Sequence, residues 1–152
     1  MIRKLFKIGD KSSNTAPSAP KHPTPEQTPY QMMGGAEAVR QLSDRFYDIM
    51  EQAPEASELL AIHPQPMDSI RERFYEFLSG WLGGPGLFEQ KYGHPRLRAR
   101  HLPFKIDDEM RDQWMFCMNR ALDIEIDTPL LREQLRQAFS QLADHMRNQP
   151  PA

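Results

Sequence analysis

In four stretches of this 152-residue chain the apolar residues return at intervals of three and four, the spacing of one face of an α-helix. Val39, Leu42, Phe46, Ile49 and Met50 do so from Ala36 to about Gln52, with Tyr47 on the same side. Met67, Ile70, Phe74, Phe77, Leu78 and Trp81 follow, in the cleanest pattern of the chain, between Met67 and Leu82. Met110, Trp114, Cys117, Met118, Ala121 and Leu122 form a third stripe, introduced by the N-terminal acids Asp107 and Asp108. Leu131, Leu135, Ala138, Phe139, Leu142 and Met146 form a fourth, with Thr128 as cap and Pro129 at the first position. Val39 is the only valine, which disfavours a β-rich fold. The pattern predicts an all-α chain.

Proline and glycine punctuate these helices. Gly34-Gly35 end a very short first helix and let the chain turn sharply. Pro54 stops the next one, Glu58 to Ile62 forms a short helical piece, and His63-Pro64-Gln65-Pro66 breaks the chain again. Gly83-Gly84-Pro85-Gly86 closes the third, and a mobile connection of about eight residues is expected up to His94. Residues 1–29 stand apart. Pro17, Pro20, Pro23, Pro25 and Pro29 lie among Ser, Thr, Asn and Lys, a composition that cannot bury enough apolar surface to offset its ordering. Before them, residues 1–10 could wind as a basic amphipathic helix, either a weak membrane or partner anchor or a frayed terminus. The expectation is a disordered N-terminal extension over 1–29 and one folded domain over 30–148. No internal repeat is found.

Charge and cysteine content exclude several classes. A net charge of −2 gives no global pull toward nucleic acid or anionic membrane. A single cysteine, Cys117, rules out an internal disulfide and a Cys-rich zinc or iron–sulfur site. No apolar run approaches the ~18 residues of a membrane span, and Met1-Ile2-Arg3-Lys4-Leu5-Phe6-Lys7 is broken by charge before a signal peptide core forms. These readings predict a cytoplasmic protein. There is no phosphate loop, no trustworthy Ser/His/Asp order and no two-His zinc spacing on a helix.

The chemistry concentrates in Gly93-His94-Pro95-Arg96-Leu97-Arg98-Ala99-Arg100-His101-Leu102-Pro103-Phe104. Pro95 suits the first turn of a helix and Pro103 ends it, leaving a short helix with Leu97 and His101 on one face. A histidine so placed can be a satisfied core residue or the axial ligand of a haem. No carboxylate lies beside His101 in sequence, so its second ring nitrogen is expected to donate to a backbone carbonyl. Other residues carry the same double reading. Tyr47 is an ordinary core tyrosine or a phenol facing a buried ligand. The Met and aromatic stripe of 67–82 is plain core, a cofactor wall, or both. His63, alone in a loop, would be assigned to solvent. Arg96, Arg98 and Arg100 make a solvated face, a weak nucleic-acid patch without stacking aromatics, or partners for carboxylates.

Trp81-Leu82-Gly83-Gly84-Pro85, then Tyr92-Gly93-His94-Pro95, then Leu97 to Phe104, then Arg111-Asp112-Gln113-Trp114 and Cys117-Met118 resemble group II of the truncated haemoglobins. Gly34-Gly35 and Arg45-Phe46-Tyr47 extend the resemblance upstream, over roughly residues 28–147. It implies a two-over-two helical sandwich around haem b (iron protoporphyrin IX). It makes His101 the iron ligand and Arg100 a partner of a haem propionate. Ile70, Phe74, Phe77, Leu97, Phe104 and Trp114 would contact the haem. Tyr47, His63, Ile70, Phe74 and Trp114 would close the face where ligands bind. Ile70 and Phe74 are apolar, so hydrogen bonds to a ligand fall to Tyr47 and Trp114, with His63 a further candidate. The function implied is reversible binding of dioxygen, NO or CO. An enzyme at the same site, a peroxidase or NO dioxygenase served by a reductase, is the alternative. A haem-free helical interaction module is the third reading.

Overall fold

The computed structural model describes residues 27–150. The amphipathic N-terminal stretch and nearly all of the Pro-rich segment lie outside the described residues. Among those described, eight α-helices and one 3₁₀ turn are present and no strand. None of the helices is long and apolar enough to cross a membrane.

Helix α1 (Pro29–Met33) is short but closed at both ends. Thr28 accepts from the Gln31 N–H at 3.2 Å while the Gln31 side chain accepts from the Thr28 N–H at 3.0 Å, a reciprocal capping box. Gly34 ends it in a left-handed conformation at φ 119°. Thr28 and Pro29 therefore already belong to the fold, Pro29 as a buried residue.

Helix α2 (Ala36–Gln52) follows the predicted boundaries and buries Val39, Leu42, Phe46, Tyr47 and Met50. A 3₁₀ turn (Pro54–Ala56) and α3 (Ser57–Ala61) then wedge between α2 and the later helix α7. Helix α4 (Asp68–Trp81) packs on α2, and its polar face is tied there by Arg40–Glu72 at 2.8 Å and by Arg71, which reaches Asp48 at 2.8 Å and Glu51 at 3.1 Å. Helix α7 (Asp108–Glu125) starts with Asp107 accepting from the Met110 N–H at 2.9 Å, as expected of the cap. Helix α8 (Pro129–Met146) has Pro129 at its first position, but Thr128 caps it without a side-chain hydrogen bond. α2 with α4 forms one layer and α7 with α8 the other, and α2 packs on α7 between them. This is the two-over-two sandwich. Leu42, Phe46, Met50, Leu78, Met118, Leu122, Leu135 and Phe139 fill its middle, all at or below 1% exposure. Each such side chain contributes about 1.5–3 kcal/mol by leaving water. Cys117 lies among them, fully buried, and burial pushes its thiol up to about 11.

Two expectations are corrected. The connection before His94 contains a helix, α5 (Leu87–Tyr92), between Gly86 and Gly93. It is held by the buried ring of Phe88 and by Lys91, which pairs with the buried carboxylate of Glu76 on α4. One turn is too short to show a period, so the sequence pattern could not reveal it. Second, Pro95 stands outside its helix. α6 (Leu97–His101) begins after Arg96, which adopts φ 48°, ψ 52°. The Arg96 N–H is engaged by Nδ1 of His94 at 3.0 Å, which fixes this turn. Pro103 follows α6 as expected.

Candidate functional site: a cavity between the two layers

A cavity of about 320 Å³ opens between α4, α6, α7 and the end of α8. All ten residues singled out from the sequence line it: Tyr47, His63, Ile70, Phe74, Phe77, Leu97, Arg100, His101, Phe104 and Trp114. His94 does not. It is exposed and borders a separate hollow beside Trp81 and His145.

His101 ends α6 with its ring turned into the cavity. Nδ1 lies 2.7 Å from the Leu97 carbonyl, one helical turn back. A carbonyl only accepts, so Nδ1 donates, and in the neutral ring Nε2 is the nitrogen that keeps a lone pair. His63 is held the same way, with Nδ1 2.8 Å from the Leu59 carbonyl. Burial chiefly lowers its pKa, and the Leu59 bond opposes this. Leu59 is fixed in turn, because its N–H donates to the Gln113 side chain at 2.9 Å. Gln113, on α7, thus orients the loop histidine through one intermediate residue.

Tyr47 is 4% exposed, and burial raises its phenol pKa, with Arg71 pulling the other way. Its ring packs edge-on against Phe74 at 5.6 Å and His63 at 6.0 Å between centroids. Trp114 sits 5.0 Å from Phe46 and 6.3 Å from Phe74. This aromatic packing leaves both side chains little room to turn. Among the described residues, the buried side-chain polar atoms without a hydrogen-bond partner are Glu76 Oε1, Asn119 Oδ1 and Arg147 Nε. The Tyr47 hydroxyl and the Trp114 N–H are not among them and form no side-chain hydrogen bond within the described fold, so both remain available to the cavity.

Three arginines rim the opening. Arg111 is engaged by Asp112 and Asp144. Arg73 and Arg100 instead lie over the rings of Tyr92, at 5.2 Å, and Phe88, at 5.4 Å, with no carboxylate partner among the described residues. Arg73 and Phe88 were not singled out from the sequence. Arg73 immediately precedes Phe74 as Arg100 precedes His101, and that parallel was the available signal. Phe88 rests on α5, which had none.

The walls are apolar, one imidazole nitrogen is open on the α6 side, two hydrogen-bond donors face inward and two unpaired guanidinium groups stand at the mouth. No three His, Cys, Asp or Glu side chains among the described residues converge as a metal site of their own. The donor set fits a large apolar macrocycle that brings its own metal and an acidic edge. The comparisons agree: the chain belongs to the bacterial-like globin family, whose model matches residues 28–148. Within it the group II resemblance holds. The chain is 39% identical over 124 residues to a group 2 truncated hemoglobin of Bacillus subtilis (strain 168), covering 82% of this chain and 91% of that one. A solved cold-adapted truncated hemoglobin from the Antarctic marine bacterium Pseudoalteromonas haloplanktis TAC125 superposes with a TM-score of 0.80 at 57% identity, over 82% of this chain and all of that one. A truncated oxygen-avid haemoglobin from Bacillus subtilis does so at 0.73 and 37%, over 80% of this chain and all of that one. Family membership implies a haem cofactor and haem-based ligand binding.

Proposed function

We propose that this protein reversibly binds dioxygen, and with it NO and CO, at haem b held by His101. The observation that carries the proposal is the pairing of an open His101 Nε2 with two donors, Tyr47 and Trp114, that have no other partner in the same cavity. When bound, the haem iron supplies the coordination position that a diatomic gas occupies. The protein's own part is to hold and to polarise. Leu97, Phe104, Ile70, Phe74 and Phe77 sheath the macrocycle, and Arg73 and Arg100 pair with its propionates. Tyr47 and Trp114 donate to a ligand that carries partial negative charge, and His63 offers a third polar group at the same face. A relative with the same fold is described as oxygen-avid, in keeping with this reading.

The proximal side bears on the enzymatic alternative. A carboxylate behind His101 would push electron density toward the iron, as peroxide cleavage needs. A backbone carbonyl stands there instead, which favours reversible binding. An NO dioxygenase needs in addition a reductase partner. The test is the absorption spectrum of His101→Ala and His94→Ala after haem addition. His101→Ala is expected to lose the strong porphyrin band near ~400 nm, a property of the cofactor itself, while His94→Ala keeps most of it. Equal loss in both variants overturns the assignment, and steady-state peroxide turnover by the wild type would restore the enzyme.

A further inference from the structure

Helix α6 should not hold its own position. It has five residues, its N-cap Arg96 makes no side-chain bond, and none of its residues is buried. A single helical turn has no independent stability. Its last carbonyls need partners from elsewhere.

The His101 carbonyl accepts from the Phe104 N–H at 3.0 Å, and its further partner comes from the chain just beyond α8. The Asn148 side-chain nitrogen donates to the His101 carbonyl at 3.2 Å and to the Phe104 carbonyl at 2.8 Å. Its side-chain oxygen accepts from the Ile106 N–H at 2.9 Å, and its own N–H donates to the Ile106 carbonyl at 3.0 Å. The exchange runs both ways. Arg98 of α6 donates through Nη1 to the carbonyls of His145 at 2.6 Å and Arg147 at 3.0 Å, groups that the end of α8 leaves open. Two helix C-termini cap each other, and the carbonyl of His101 itself is one of the points gripped.

We propose that Asn148, assisted by Arg98, is the positioning residue for His101: the C-terminal end of the fold sets the imidazole's orientation and so the retention of haem. The inference rests on His101 being the iron ligand. Asparagine suits the task because one planar group supplies two donors and an acceptor at once. Aspartate has the same shape but turns oxygen toward both carbonyls, replacing two attractions with repulsion.

The test uses the full-length ferrous holoprotein. Iron–histidine stretching is read by resonance Raman, and haem transfer to excess apomyoglobin is timed, for wild type, Asn148→Asp and Asn148→Ala. Asn148→Asp is expected to lose haem roughly tenfold faster or more, the scale of one or two hydrogen bonds, and to shift or broaden the iron–histidine band. Asn148→Ala, which only deletes, lies between and serves if the aspartate variant does not fold. Gly84→Ala, which disturbs α1 on another part of the fold, is the control for stability alone. If the Asn148 variants keep the wild-type band and lose haem only in step with their Tm, as that control does, the proposal is overturned while His101 stands. If wild type shows no iron–histidine band that His101→Ala removes, the ligand assignment fails and the proposal falls with it.

Discussion

Tyr47 and Trp114 reach the cavity from opposite layers of the sandwich, and each has a donor with nothing else to bond. A hydrogen bond in a dry pocket contributes about 0.5–1.5 kcal/mol net, and more when the acceptor carries charge. Trp114→Phe keeps the aromatic body and deletes the N–H. Dioxygen is therefore expected to dissociate roughly tenfold faster or more, with a smaller change for carbon monoxide, which carries less charge. Tyr47→Phe acts in the same direction and the two are non-additive, because they serve one ligand. Stopped-flow dissociation of both gases decides this; equal factors for the two gases would leave only shape. His63 carries a second expectation. Its folded pKa lies below the ordinary histidine value of about 6.5. As pH falls through that value, the unfolded chain takes up a proton that the folded state refuses, so stability falls; above it the contribution is fully present. In denaturant titrations at about pH 7.5 and 5.5, on either side of that value, His63→Phe should show a smaller acid-side loss than wild type. An unchanged loss would assign the effect to other groups.

At the scale of elements, the glycines after α4 do more than end a helix. A Cβ on Gly84 would stand 2.4 Å from the Tyr30 ring, and one on Gly83 2.7 Å from Thr28. Helix α1 docks on bare backbone there, with the Tyr30 N–H donating to the Leu82 carbonyl at 3.0 Å. Gly84→Ala should therefore cost about 1–3 kcal/mol by overpacking. Tyr30→Ala in the same chain should recover part of that, since it removes the obstructing ring. A simple sum of the two losses in urea unfolding would refute the contact. The four long helices were legible in the sequence because each repeats its apolar face over three or more turns. That the His101 ring binds a backbone carbonyl was legible because no carboxylate lies beside it in sequence. α5, the Arg96 turn, Phe88 and Asn148 were not. The Arg96 turn rests on the side chain of His94, two residues back, which no periodicity announces; the others are decided by partners distant in sequence: Glu76 for α5, the cavity for Phe88, and the carbonyls of His101 and Phe104 for Asn148. Asn148 reads as a polar tail residue until the fold brings residues 101–106 beside it.

Across the whole molecule two truncations separate the contribution of the Thr28 cap from that of the residues before it. Removing residues 1–26 should leave the haem spectrum and unfolding free energy unchanged within about 0.5 kcal/mol, because a Pro-rich composition of this kind buries little apolar surface. Removing residues 1–29 deletes the Thr28–Gln31 capping box and the buried Pro29, and should cost about 1 kcal/mol or more. A comparable loss from the shorter truncation would mean that the extension packs on the body. One property of the assembled core follows from Cys117, the chain's single sulfhydryl, which lies fully buried on α7 with its thiol pushed up to about 11. Oxidants and nitrosating agents attack the thiolate, a form scarcely populated here at neutral pH and closed off by packing. The sulfur is thus withheld from oxidants in solution, and no two copies can be cross-linked through it while α7 stays seated. A modified Cys117 would be the record of a molecule that had opened.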